Sequence, residues 1–113
     1  MQLHHIALRT RDVTALAEFY ERVVGLERRV SPSPPSVWLR CGEAIVMLEM
    51  ADPAEPSVPA GGRELIAFCG DRALDEMRAR LDEAGVTIEA STDHTVYFRD
   101  PDGRRVAFST YNF

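Results

Sequence analysis

The feature that most constrains this chain is an internal echo: residues 3–26, LHHIALRTRDVTALAEFYERVVGL, return in fainter form about halfway along. In the second copy Glu64, Leu65, Ile66, Ala67 and Phe68 stand where His4, His5, Ile6, Ala7 and Leu8 stood. Asp71 replaces Asp12, and Gly85 and Val86 replace Gly25 and Leu26, at separations of 60, 59 and 60 residues. A repeat fixes architecture before any residue is given a chemical role. This one predicts two similar halves in one domain: module one over residues 1–50, a linker over 51–62 and module two over 63–113.

Each copy opens with a strand and continues with a helix. His5, Ala7 and Arg9 alternate with His4, Ile6 and Leu8, the period of a strand, which puts His4 on the side that faces the helix. Asp12 is placed to cap a helix whose buried stripe is Val13, Leu16, Ala17, Tyr20, Val23 and Val24, and Gly25 suits the left-handed residue just past its end. In the second copy Asp71 takes the capping role. Leu74, Met77, Leu81 and Ala84 form the stripe, Glu76 and Arg80 are spaced as a surface pair, and Gly85 ends the helix.

The rest of each half reads as strands. Residues 26–30 make one, ending at a run of three prolines and three serines over 31–36 that cannot sustain ladder bonds. Residues 37–41 and 44–50 make a hairpin about Gly42 and Glu43. Residues 51–62, with three prolines and two glycines and no periodicity, read as the connector. Strands over 63–69, 86–90, 94–99 and 104–111 follow, the last two joined by Asp100-Pro101-Asp102-Gly103, which matches a type I turn. A ferredoxin-like chain would need fewer strands than these eight.

Composition closes off several functions. The net charge of −5 and the scatter of basic residues speak against nucleic acid. All thirteen basic residues are arginine, which excludes Schiff-base chemistry on a lysine amine. No apolar run approaches the roughly 18 residues of a membrane span, and the N-terminus does not read as a signal peptide, so a soluble cytoplasmic protein is expected, with no membrane partner. Cys41 and Cys69 are expected as reduced core thiols rather than a disulfide. There is no G-x-S-x-G elbow, phosphate loop, HExxH pair or C-x-x-C.

The opening LHHIALRTRD, the helix end FYERVVGL, the IAF-x-x-D start of the second half, the Gly85-Val86 pair and the segment FRDPDGRRVAF run through the whole chain in order. Together they resemble the vicinal oxygen chelate superfamily of glyoxalase I, bleomycin-resistance proteins, extradiol dioxygenases and methylmalonyl-CoA epimerase. The resemblance implies an α+β fold in which two βαβββ modules form an open, cleft-containing eight-stranded mixed barrel, and a homodimer. In metal-binding members each module gives one ligand from its first strand and one from its last. Here those positions fall on His5, Met47, Leu65 and Ala107, so three of four lack a donor. A divalent ion needs several N or O donors, and His5 alone does not supply them.

Carried through all strands, the alternation gives a cleft face of His5, Ala7, Arg9, Trp38, Arg40, Met47, Glu49, Leu65, Ala67, Cys69, Tyr97, Arg99, Arg105, Ala107, Ser109 and Tyr111. An apolar, aromatic floor rimmed by arginine suits a small aromatic or anionic organic molecule. The bland readings are a hydrogen-bonded His5, a core-filling Trp38, a surface Glu49, and Arg99 and Arg105 as solvated hairpin charges. The expected function is metal-free ligand binding of the sequestration or resistance type, with no cofactor. The alternative is a glyoxalase- or dioxygenase-type enzyme, a lyase, isomerase or dioxygenase, with Zn, Ni, Fe or Mn held at His5 and Glu49. A metal-free enzyme using Tyr97, Tyr111 or His5 as acid or base, or Cys69 as a nucleophile with His5, is a further possibility.

Overall fold

The computed structural model describes all of residues 1–113, which divide into two compact units, Met1–Ser57 and Val58–Phe113. The division falls inside the proline-rich connector. No helix is long and apolar enough to cross a membrane.

The first unit is β1 (His5–Thr10), α1 (Val13–Phe19), β2 (Glu27–Arg29), β3 (Val37–Cys41) and β4 (Ala44–Met50), with strands in the order β1-β4-β3-β2. Asp12 accepts a hydrogen bond from Ala15 N at 3.0 Å and so starts α1. A π-helical turn over Tyr20–Val24 extends the helix, and Gly25, at φ 93°, stops it with its N–H on the Tyr20 carbonyl. The expected stripe is the buried one: Val13, Leu16, Ala17, Tyr20, Val23 and Val24 are all 9% exposed or less. It packs on β3 and β4, where the alternate residues Leu39, Val46 and Leu48 are buried. Each such aliphatic side chain contributes about 1.5–3 kcal/mol by leaving water.

The second unit repeats the plan with β5 (Leu65–Phe68), α2 (Leu74–Glu83), β6 (Ala90–Ser91), β7 (Thr95–Arg99) and β8 (Arg105–Ser109), in the order β5-β8-β7-β6. Met77 and Leu81 of α2 are buried, and the helix packs on β7 and β8, which contribute Val96, Phe98, Val106 and Phe108 to the same core. Both sheets are mixed: the first strand runs parallel to the last, and the remaining pairs are antiparallel. Two βαβββ modules are therefore present.

The hairpin turn before β8 is held from its first residue. Asp100 accepts from Asp102 N at 2.9 Å, Arg104 N at 3.0 Å and an Arg104 guanidinium nitrogen at 3.2 Å, while its carbonyl accepts from Gly103 N at 2.9 Å. Its carboxylate is fully buried. Gly103 sits at φ 93°, where a side chain would be strained.

Several local expectations are corrected. The α2 N-cap is Ala73, which has no side-chain acceptor, so Asp71 lies two residues short of the cap, and Asp75 and Glu76 supply the negative charge of the first turn. Ala84 is exposed beyond the end of α2. The strand expected over 86–90 shrinks to Ala90–Ser91, and β8 ends at Ser109 rather than reaching Tyr111. Cys41 and Cys69 are free thiols, but Cys69, just past β5, is exposed and not part of the core.

Candidate functional site

The registers decide which side chains share the sheet face away from each helix. In module one His5 pairs with Ile45, Ala7 with Met47 and Arg9 with Glu49 across β1 and β4. Across β3 and β4, Trp38 pairs with Met47 and Arg40 with Ile45, and across β2 and β3, Arg29 pairs with Trp38 and Glu27 with Arg40. Cross-strand partners point to the same side. His5, Ala7, Arg9, Trp38, Arg40, Met47 and Glu49 therefore lie on one face, joined by Ile45, Glu27 and Arg29.

Module two gives the corresponding face. Leu65 pairs with Arg105, Ala67 with Ala107, Tyr97 with Ala107, Arg99 with Arg105 and Thr95 with Ser109. The Thr95 and Ser109 hydroxyls share a hydrogen bond of 2.8 Å, and the Arg105 guanidinium lies 4.4 Å from the centre of the Tyr97 ring. Arg99 is not a loose hairpin charge: it makes two hydrogen bonds to Glu89, at 2.6 and 2.8 Å, and donates to the Gly62 carbonyl. The Arg99 hydrogen bond holds the Glu89 carboxyl below the usual carboxylate range. Tyr111 lies past the strand and stacks edge-on against His94 and Phe113 instead of extending the face.

The positions the resemblance assigns to a metal are equivalent in the two modules. In each, the last-strand residue lies two places beyond the direct partner of the first-strand residue: Met47 beyond Ile45 for His5, Ala107 beyond Arg105 for Leu65. The residues do not fit a metal. Thioether, isobutyl and methyl groups stand where N or O donors are needed, and no group of three or more His, Cys, Asp and Glu is arranged to hold an ion.

His5 and Glu49 do not make a site together either. Glu49 is four residues along β4 from the partner of His5, about 13 Å away, and its carboxylate faces Arg9 at 4.0 Å. His5 has a different partner. His4 lies outside β1 and is exposed, a correction to its helix-facing assignment, and its Nδ1 is 2.7 Å from Nδ1 of His5 with the two rings edge to face. One ring donates and the other accepts.

Two features escaped the sequence reading. The connector is tied to β1 by side chains: Arg9 donates twice to the Glu55 carboxylate, while Arg11 donates to Ser57 Oγ at 2.8 Å and to the Glu55 carbonyl at 2.6 Å. The Arg9 hydrogen bond lowers the Glu55 pKa and is the main cause of a raised value for Arg9.

The second is a groove of about 430 Å³ at the outer end of the face of module one, lined by Arg29, Val30, Pro32, Trp38, Arg40, Gly42, Glu43, Ala44 and Ile45. It takes in Trp38 and Arg40 from the expected set and adds Arg29. The indole Nε1 of Trp38 is buried and makes no hydrogen bond in the protein, a state that costs about 1–3 kcal/mol. The proline run interrupted the pattern that would have revealed Arg29, but its cross-strand partner is Trp38.

Comparison with known proteins agrees with the architecture. The model of the "Glyoxalase/Bleomycin resistance protein/Dioxygenase superfamily" matches residues 2–108. Virulence protein STM3117 of Salmonella typhimurium is 23% identical, the alignment covering 97% of this chain and 84% of that protein. An integron cassette protein from the mobile metagenome of V. cholerae superposes with a TM-score of 0.80 at 26% identity, covering 99% of this chain and 96% of the other. Lactoylglutathione lyase from Agrobacterium tumefaciens superposes at 0.72 with 25% identity, over 96% and 92% of the two chains.

Proposed function

This chain belongs to the glyoxalase/bleomycin resistance protein/dioxygenase superfamily, and from that premise we propose that it binds a small aromatic or anionic organic molecule without a metal ion, by sequestration rather than turnover. The observation that carries the reading is the donor set. Met47, Leu65 and Ala107 occupy three of the four ligand positions that the family resemblance defines, and the register sets Glu49 apart from His5.

What remains on the face of module one suits a different task. Trp38, Met47, Ala7 and Ile45 offer apolar and aromatic surface, and arginines stand at its margin. Pockets for small organic molecules combine such surface with a few polar groups that fix orientation. The protein acts as a cytoplasmic homodimer in this reading, after the pattern implied by the family resemblance.

A thermal-shift screen of aromatic acids and antibiotics tests the proposal, because a ligand that binds only the folded state raises the melting temperature by mass action. The expected result is a set of hits whose shifts persist in excess chelator and whose structures are recovered unchanged after incubation. Metal-dependent consumption of a hit would overturn the reading in favour of an enzyme.

A further inference from the structure

We propose that the groove at the outer end of module one is a binding site for a planar aromatic carboxylate, with Arg29 and Arg40 pairing with the carboxylate and Trp38 receiving the ring. The inference rests on the reading of the chain as an organic-ligand binder and names the class of ligand.

The first support is the disposition of charge. Module one contains six arginines. Arg9 pairs with Glu55, Arg11 is tied to Ser57 and two carbonyls, Arg22 lies 3.8 Å from Glu18, and Arg28 binds Glu21 through two nitrogens. The remaining two are Arg29 and Arg40. Arg29 has no partner, and Arg40 uses only its Nε, on the Gly42 carbonyl at 3.3 Å. Both line the groove. Glu43 also lines it and Glu27 faces Arg40 across the strands, yet neither forms an ion pair with these arginines. In a chain of net charge −5, Arg11, Arg29 and Arg40 are the arginines of module one without a carboxylate, and the two that the connector does not hold, Arg29 and Arg40, line the same groove.

The second support is the rest of the lining. Trp38 is the direct cross-strand partner of Arg29 and lies two residues from Arg40 on the same face, so the indole neighbours both arginines in the lining of the groove. Ile45, Val30 and Pro32 complete an apolar wall. The volume of about 430 Å³ lies within the roughly 300–1,000 Å³ of small-molecule pockets. Guanidinium forks match a carboxylate in two-point fashion, and a flat ring gives the indole a partner that a bare anion would not.

Trp38 is the only tryptophan, so its emission reports on this groove alone. The test titrates the protein with 4-nitrobenzoate and with neutral 4-nitrobenzamide, following quenching corrected for absorption and repeating both by calorimetry. The carboxylate is expected to bind one per chain and saturably, with the amide at least about tenfold weaker. Arg29→Gln and Arg40→Gln should each weaken the carboxylate by about five- to thirtyfold and narrow its advantage over the amide, whereas Arg28→Gln should leave both unchanged. Equal affinity for the two probes, or full affinity in both groove variants, would overturn the anion site while leaving the broader ligand-binding reading intact. Inorganic phosphate binding as tightly as the carboxylate would overturn the aromatic assignment. Absence of saturable binding by either probe would overturn the inference, and only a silent thermal-shift screen would extend that failure to the proposed function.

Discussion

His5 on β1 stands directly opposite Ile45 on β4, so the strand that would hand this histidine a carboxylate presents an aliphatic side chain at the nearest position. With Met47 the next residue on that face, the imidazole turns instead to its neighbour His4. Neither Ile45 nor Met47 offers a carboxylate at the positions of β4 nearest to His5.

Replacing His5 by Ala should therefore change little. The residue is exposed and its hydrogen bond is to another exposed ring, so the melting temperature should move by no more than the equivalent of about 0.5 kcal/mol. Elemental analysis of tag-free protein before and after the substitution should give the same metal content. A His5→Ala protein that loses a stoichiometric ion would show that His5 is a metal ligand.

The turn before β8 predicts a larger effect. Asp100→Ala removes a buried carboxylate that serves two backbone N–H groups and Arg104, leaving the two backbone donors without their acceptor and the guanidinium with Asp102 alone, at a cost of about 1–3 kcal/mol. Denaturant unfolding measures it. Asp100→Asn, which keeps an acceptor oxygen, should lose clearly less than the alanine variant.

Gly103→Ala tests the same turn through its backbone. With φ at 93° and no atom near the added methyl group, the cost is conformational and should be about 1–2 kcal/mol. Unfolding curves should show a lower midpoint with an unchanged slope.

The connector latch predicts a response to acid. Glu55 has a folded-state pKa lowered first by its hydrogen bond from Arg9, so the stabilisation it brings is present above its unfolded value, about 4.3, and is lost as pH falls through the folded value. Amide exchange over residues 51–57, corrected for intrinsic rates, should be slower at pH 7 than at pH 3. Glu55→Gln should remove the difference, and raised salt should reduce it because the pair is solvent-exposed.

Much of this was legible in the sequence because alternation and helical periodicity report which face a residue takes. His5, Trp38, Met47, Glu49, Tyr97 and Ala107 all lie on the expected side of their sheets, and the α1 stripe is buried residue for residue. Periodicity does not report where an element stops. Ala73 rather than Asp71 begins α2, and the backbone leaves β8 before Tyr111 reaches the face. Nor does it report contacts between distant polar residues. Arg9 and Glu55 are 46 positions apart with no pattern linking them, and Arg29 joins Trp38 only through a register set beyond the proline run.

Metal-free binding is tested by a thermal-shift titration of tag-free protein with its strongest aromatic hit, run in chelator and again with Zn, Ni, Fe or Mn added. The melting temperature should rise equally in every condition if the ligand is held by side chains alone. A shift that appears only with metal, at one ion per chain, and disappears in His5→Ala would contradict metal-free binding.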